Sequence, residues 1–160
     1  MESKIIRVQL FTAVSIISIL SLQTEVHAKE SHIFINKIGQ EEIQEEIYFD
    51  SLEMLAICVE AEAGNQDLYG KRLVVDVILN RVDSDRFPDD IESVISQKYH
   101  FSTYWNGEMD KIQEPSEETF EAVRLELDER TDDKILFFSA GGYSKYCTPA
   151  YKYGDHYFGY

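Results

Sequence analysis

Basic residues are scarce: 15 Lys and Arg stand against 30 Asp and Glu in 160 residues, a net charge of −15. A nucleic-acid partner is thereby excluded, because a phosphate backbone is bound by a positive surface that releases counterions. Cysteine is nearly absent, and Cys58 and Cys147 allow at most one disulfide. Two readings stay open for them: a bridge in an exported protein, or, for Cys58 in its apolar helical pattern, a buried free thiol. Histidine is also sparse, and no HExxH spacing joins His32, His100 and His156, which speaks against a zinc-ligating motif. Repeats and low-complexity segments are missing. What is present, 44% hydrophobic and 12% aromatic residues, suits one globular domain.

The chain opens unlike the rest. Lys4 and Arg7 precede an apolar run from Val8 to Leu22, and Val26-His27-Ala28 offers the small residues that a signal peptidase reads. Gln9, Thr12, Ser15 and Ser18 interrupt a run already shorter than the roughly 20 residues of a membrane span, so residues 1–28 are expected to be a signal peptide cleaved near Ala28. The mature chain then keeps 13 Lys and Arg against 28 Asp and Glu. It is expected outside the cell, with a solvated acidic surface. Residues 29–49, with Glu41, Glu42, Glu45 and Glu46 clustered, have no sustained apolar period and read as a polar linker or loose arm.

From residue 50 the pattern is that of a folded domain, mainly α with a small β element. Asp50-Ser51-Leu52-Glu53 has capping-box spacing and predicts a helix over 51–63, with Gly64 ending it in a left-handed turn. The apolar stretch 67–83 predicts a buried central helix, 91–97 a short one, and Pro115-Ser116 the start of another that runs to about 130. His100 to Gly107 reads as an aromatic loop or hairpin, and Ile135 to Phe138 as a strand.

Two carboxylates compete on the first helix. Glu60 and Glu62 point about 200° apart, so they cannot share a role. Glu60 lies on the Glu53 face and reads as solvated. Glu62 lies on the stripe of Leu52, Leu55 and Val59, where partial burial and the negative end of the helix dipole both disfavour its charge. A carboxyl group that holds a proton is what glycosidic cleavage needs at the leaving oxygen. The competing reading is a structural ion pair with Arg72 or Arg81.

Glu62-Ala63-Gly64, the spacer to Gly70, Val77-Ile78-Leu79-Asn80-Arg81-Val82 and Arg86-Phe87-Pro88 resemble the signature of the SleB/CwlJ cell wall hydrolases, the spore cortex-lytic enzymes. The resemblance continues through Val94-Ile95, Phe101-Ser102, Gly107, Phe137-Phe138 and Gly154-Asp155-His156-Tyr157-Phe158, covering about residues 52–160. It implies a lysozyme-like, lytic-transglycosylase-like catalytic domain over 50–160 with Glu62 as its catalytic residue. The family often has Glu-x-Arg-Gly-Glu where this chain has Glu62-Ala63-Gly64-Asn65, and Gln where this chain has His100, so the cleft differs. Some relatives carry a separate wall-binding domain. None is read here, so the wall is found through the cleft or through an accessory wall or spore protein.

No second carboxylate declares itself among Asp76, Asp83, Asp85, Glu108 and Asp110. A lytic transglycosylase needs none: one Glu protonates the leaving oxygen, then serves as base while the muramic acid 6-hydroxyl closes an anhydro ring. That is the expected reaction on peptidoglycan glycan strands, without cofactor or metal, by a monomer. Hydrolysis by a muramidase with a second carboxylate, an amidase acting on the stem peptide, and an inactive wall-binding module are the alternatives. Phe101, Ser102, Tyr104 and Trp105 are candidate sugar contacts, with core filling the competing role for Phe101 and Trp105. His156 is a candidate at the cleft border. Asn80 and Arg81 are expected to brace the central helix.

Overall fold

A computed structural model describes residues 2–160, with side chains described at 29, 30, 33 and from 35 onward. The expected leader, residues 1–28, falls outside the residues with described side chains. The chain divides into two compact units, Met1–Ile47 and Tyr48–Tyr160.

Helix α1 spans Glu2–Ala63 and so enters both units. In the first unit its described side chains are nearly all exposed, Ile35, Ile43 and Ile47 among them, and Lys37 pairs with Glu41 at 3.7 Å, one turn on. Among the described residues no helix is long and apolar enough to cross a membrane. The expected helix start at residue 51 is not observed. Glu, Gln and Ile over 41–47 are competent helix formers, and Asp50 has no chain entry to cap because the helix is already running when it arrives.

The second unit is built around helix α2 (Leu68–Val82), whose residues from Gly70 to Arg81 are buried apart from Arg72. Leu73, Val74, Val77 and Ile78 meet Leu55 and Val59 of α1, Ala122 and Val123 of helix α5 (Glu117–Asp128), and Ile135 and Phe158. Fully burying each such side chain is worth about 1.5–3 kcal/mol, and α2, with Leu73, Val74, Val75, Val77, Ile78 and Leu79, supplies the largest share of the buried core of any one element. Asp67 caps α2 by accepting from Gly70 N at 2.9 Å, and its other oxygen accepts from the Tyr153 hydroxyl at 2.9 Å. Helix α3 (Ile91–Ile95) follows, capped by Asp90. The segment expected as a loop or hairpin contains instead a helical turn, α4 (Ser102–Trp105), because Thr103 and Phe101 are drawn into the interior and leave too little extended chain to pair.

Three strands close the domain: β1 (Phe137–Ser139), β2 (Pro149–Tyr153) and β3 (His156–Gly159). The sheet is antiparallel in the order β1-β3-β2, with Phe158 of β3 opposite Phe138 on one side and Tyr151 on the other. Asn80 and Arg81 deliver the chain into β1. The Asn80 amide donates to the carbonyls of Asp132 and Ile135 at 2.8 and 2.9 Å, and Arg81 Nε donates to that of Leu136 at 2.8 Å. Both cysteines are free.

A buried carboxylate pair joins α2 to α5. Asp76 and Glu126 are fully buried. Arg72 Nε, Thr131 Oγ1 at 2.6 Å and Thr131 N at 2.7 Å donate to Glu126, while Asp132 N donates to Asp76 Oδ2 at 2.8 Å. Desolvation first, and then the hydrogen bond with Glu126, push Asp76 up to about 9. Against desolvation, Glu126, with its three donors, is held low, so at neutral pH the pair keeps one proton, favoured on Asp76.

Candidate active site

Glu62 occupies the last turn of α1, half-buried, and lines an open cavity of about 460 Å³ together with Asn65, Ala140, Lys152, Asp155, His156 and Tyr157. Thr103, on α4, donates its hydroxyl to Glu62 Oε1 at 2.5 Å. That bond fixes the carboxyl plane and leaves Oε2 as the oxygen free to meet a ligand. The alternative of a structural ion pair does not hold: Arg72 is held by Glu126, and Arg81 by the Leu136 carbonyl and His100. One turn before Glu62, the Cys58 thiol is pushed well up by burial and then by the charge of Glu62, against the opposing pull of Arg81. It stays a protonated, inert neighbour.

Glu60 behaves differently from its sequence reading. Rather than facing solvent alone, its Oε2 accepts from Ser116 N at 3.1 Å, Ser116 Oγ at 2.8 Å and Thr119 Oγ1. Desolvation works to raise it, but these bonds, with the charge of Lys71, hold the Glu60 carboxyl below its ordinary value. Glu60 is the anchor for the first turn of α5. Gly64 also differs from expectation, since its φ is not left-handed. A side chain is excluded there because a Cβ would lie 2.5 Å from the Glu60 carbonyl oxygen.

The cavity wall opposite α1 is the β2–β3 turn, and amide side chains pin it. Asn65 Nδ2 and Gln66 Nε2 each donate to Asp155 Oδ2 at 3.1 Å, and Asp155 N donates to Gln66 Oε1 at 3.1 Å. Gly154 makes this possible: φ is +52°, and a Cβ would sit 1.9 Å from Gln66 Oε1. His156 is 5% exposed, with its ring edge-on to Phe138 at 5.2 Å. Burial lowers its pKa, against the pull of Asp155, so a neutral imidazole borders the cavity.

The expected sugar contacts separate. Phe101 is a correction: it is fully buried, tilted on Phe138 at 6.0 Å with the Arg81 guanidinium 5.1 Å from its ring, and is out of reach of any ligand. Ser102 is exposed at the start of α4, Tyr104 is half-buried, and Trp105, 59% exposed, meets Tyr104 edge-on at 5.3 Å. None of these lines the Glu62 cavity. Their unremarked neighbour Thr103 is the one bonded to Glu62. Of the acidic residues considered as a second carboxylate, Asp76 is fully buried and accepts from Asp132 N, Asp83 pairs with Arg130 at 3.3 Å, and Glu108 pairs with Lys111 at 2.6 Å. Asp85 and Asp110 do not line the cavity either, whereas Asp155 does. Asp155 sits in the Gly154-Asp155-His156-Tyr157-Phe158 run, where no local pattern marks a carboxylate role.

The model of a family described as Cell Wall Hydrolase matches residues 65–159, beginning three positions after Glu62. Two solved structures are similar. One is the catalytic domain of the germination-specific lytic transglycosylase SleB from Bacillus anthracis, with 26% identity, a TM-score of 0.61, and 69% of this chain and 93% of that chain covered. The other is the catalytic domain of the Bacillus cereus SleB protein, with 25% identity, a TM-score of 0.61, and 69% and 89% covered. No curated protein matches the chain.

Proposed function

Because this chain belongs to the cell wall hydrolase family, we propose that it cuts the glycan strands of peptidoglycan by a lytic transglycosylase reaction with Glu62 as the only catalytic carboxyl group. The observation that carries the reading is the half-buried Glu62, free of any cationic partner among the described residues, held by Thr103 at the wall of an open cavity. With Oε1 engaged by Thr103, Oε2 carries the proton to the bridging oxygen as the glycosidic bond breaks. The ionised carboxylate then takes the proton from the muramic acid 6-hydroxyl, whose oxygen bonds to the anomeric carbon and closes a 1,6-anhydro ring. Glu62 ends protonated, as it began, and no water is consumed.

Asp155 supports a second reading, a muramidase in which it is the partner carboxylate, since it lines the same cavity. Its Oδ2 already accepts two amide hydrogen bonds, which favours a part in holding the cavity wall. Digestion of purified peptidoglycan by the protein and by Glu62→Gln, with mass spectrometry of the products, separates the readings. Anhydro-muramic ends are expected. Reducing ends instead indicate the muramidase, freed stem peptides an amidase, and undiminished cutting by the variant removes Glu62 from the mechanism. The structural neighbours include a germination-specific enzyme, so spore cortex is the first substrate to assay, beside vegetative wall. Export after cleavage near Ala28 belongs to the same proposal, on the strength of Lys4, Arg7 and the apolar run behind them. Amino-terminal sequencing of the secreted protein tests it.

A further inference from the structure

A second, larger cavity of about 740 Å³ lies between the 98–100 turn, β1 and the 139–146 loop. In a chain of net charge −15, its lining contains no carboxylate and gathers Arg81, Lys98 and His100. The Arg81 guanidinium, packed 5.0 Å from the Phe87 ring, spends Nε on the Leu136 carbonyl and faces His100 Nδ1 with a terminal nitrogen at 3.2 Å. A guanidinium only donates. Nδ1 is therefore the acceptor, the imidazole proton sits on Nε2, and His100 is a neutral N–H donor.

Beside His100, Tyr99 adopts a left-handed backbone with φ of 70°, a rare state for a bulky residue, and stands 87% exposed with Lys98 Nζ 5.1 Å from its ring. The two cavities abut. Ser139 and Gly141 line this one and Ala140 lines that of Glu62, while Tyr143 on this side meets Tyr157 of the other at 5.1 Å.

We infer that this second cavity is an anion subsite, in which Lys98 and His100 take the carboxylate carried by the muramic acid next to the cut, with Tyr99 as the adjoining sugar platform. The inference rests on the glycan-strand reading of Glu62 and names what lies beside the bond that Glu62 breaks. The carboxylate has two sources, the lactyl group itself or the stem peptide attached to it.

The test measures binding by full-length Glu62→Gln protein, which does not cut, to chitohexaose, to peptide-free wall glycan and to peptide-bearing glycan of similar length. One exposed charge pair is worth up to about 1 kcal/mol, so about fivefold tighter binding to a carboxylate-bearing strand than to chitohexaose is expected. Lys98→Glu removes that preference, as does high salt, while chitohexaose affinity stays unchanged. A preference shared by both wall glycans assigns the lactyl carboxylate, and one confined to peptide-bearing strands assigns the peptide. Equal affinity for all three ligands, or equal weakening of all three by Lys98→Glu, overturns the subsite and leaves the role of Glu62 intact. Absence of binding to any of them overturns both.

Discussion

Thr103 Oγ1 donates to Glu62 Oε1 at 2.5 Å, joining a four-residue helical turn to the end of α1 across 41 positions of sequence. Orientation of an acid toward one lone pair of a bridging oxygen is sensitive to small displacements. Thr103→Val keeps the shape and removes the hydroxyl. We expect kcat on peptidoglycan to fall about tenfold, with KM and the melting temperature nearly unchanged. A fall confined to KM assigns Thr103 to ligand binding rather than to positioning.

The two neighbouring glutamates have separable tasks. Glu60→Ala strips three donors of their acceptor at the start of α5, and hydrogen bonds to a charged group are worth about 1.5–3 kcal/mol each at most. Since Glu60 is partly solvated, a loss of about 1–2 kcal/mol in denaturant unfolding is expected, with cutting retained at temperatures where the variant is folded. Because the folded-state carboxyl is held below its ordinary value, this stability is present above the ordinary Glu range and is lost as pH falls through the lowered value. Loss of cutting by folded Glu60→Ala contradicts the assignment.

How much of this was legible beforehand depended on the range of the interactions. The central helix, the α5 start at Ser116 and the strand around Phe137 follow from local apolar period and caps, and the structure has them near the expected bounds. The placement of Glu62 on an apolar stripe was equally local. Long-range partners were not legible: nothing near Glu60 in sequence announces Ser116 and Thr119, and nothing near Asn65 announces Asp155. The same limit explains Phe101, whose aromatic character fits a sugar platform or a core equally well until Arg81 and Phe138 are known to enclose it.

Asp76 makes stability depend on alkaline pH. Its folded-state pKa lies far above the unfolded value, so its contribution is complete below the ordinary Asp range and declines as pH rises toward about 9. One extra proton held by the folded state corresponds to a slope of at most about 1.4 kcal/mol per pH unit. His100 and His156, both lowered, act with opposite sign but only below about pH 6.5. Between pH 7 and 8.5 the buried Cys58 thiol, also raised, adds a slope of the same sign as the unfolded thiol ionises, so the Asp76 part is read from urea unfolding as the difference between the protein and Asp76→Asn. Asp76→Asn keeps an N–H donor toward Glu126 and an acceptor for Asp132 N, and it is expected to flatten the slope. An unchanged slope in that variant places the proton elsewhere.

Gly154 tests how the cavity wall is held. Alanine there meets a left-handed backbone, costing about 1–2 kcal/mol, and its Cβ displaces Gln66 Oε1. Since that atom ends a flexible side chain, the domain still folds, but Gln66 gives up its bonds to Asp155. Gly154→Ala should lower cutting several-fold beyond what its stability loss explains, and Gln66→Ala in the same chain should add little more, because both changes break one contact. Additive losses in the double variant show that the two residues act separately.

Tyr99 poses the reverse case, in which a substitution helps the fold and harms the function. Its left-handed backbone costs about 1–2 kcal/mol, whereas glycine adopts that conformation freely and gives back about 0.5–1 kcal/mol through the added entropy of the unfolded chain. Tyr99→Gly is therefore expected to hold or raise stability by up to about 1 kcal/mol in urea unfolding, although it deletes a large side chain. At 87% exposure that side chain has little packing to lose. Binding of wall glycan should weaken in the same variant. A clear loss of stability means that the ring is packed in solution against a part of the chain it does not touch here, and unimpaired glycan binding means that the strained tyrosine serves no ligand.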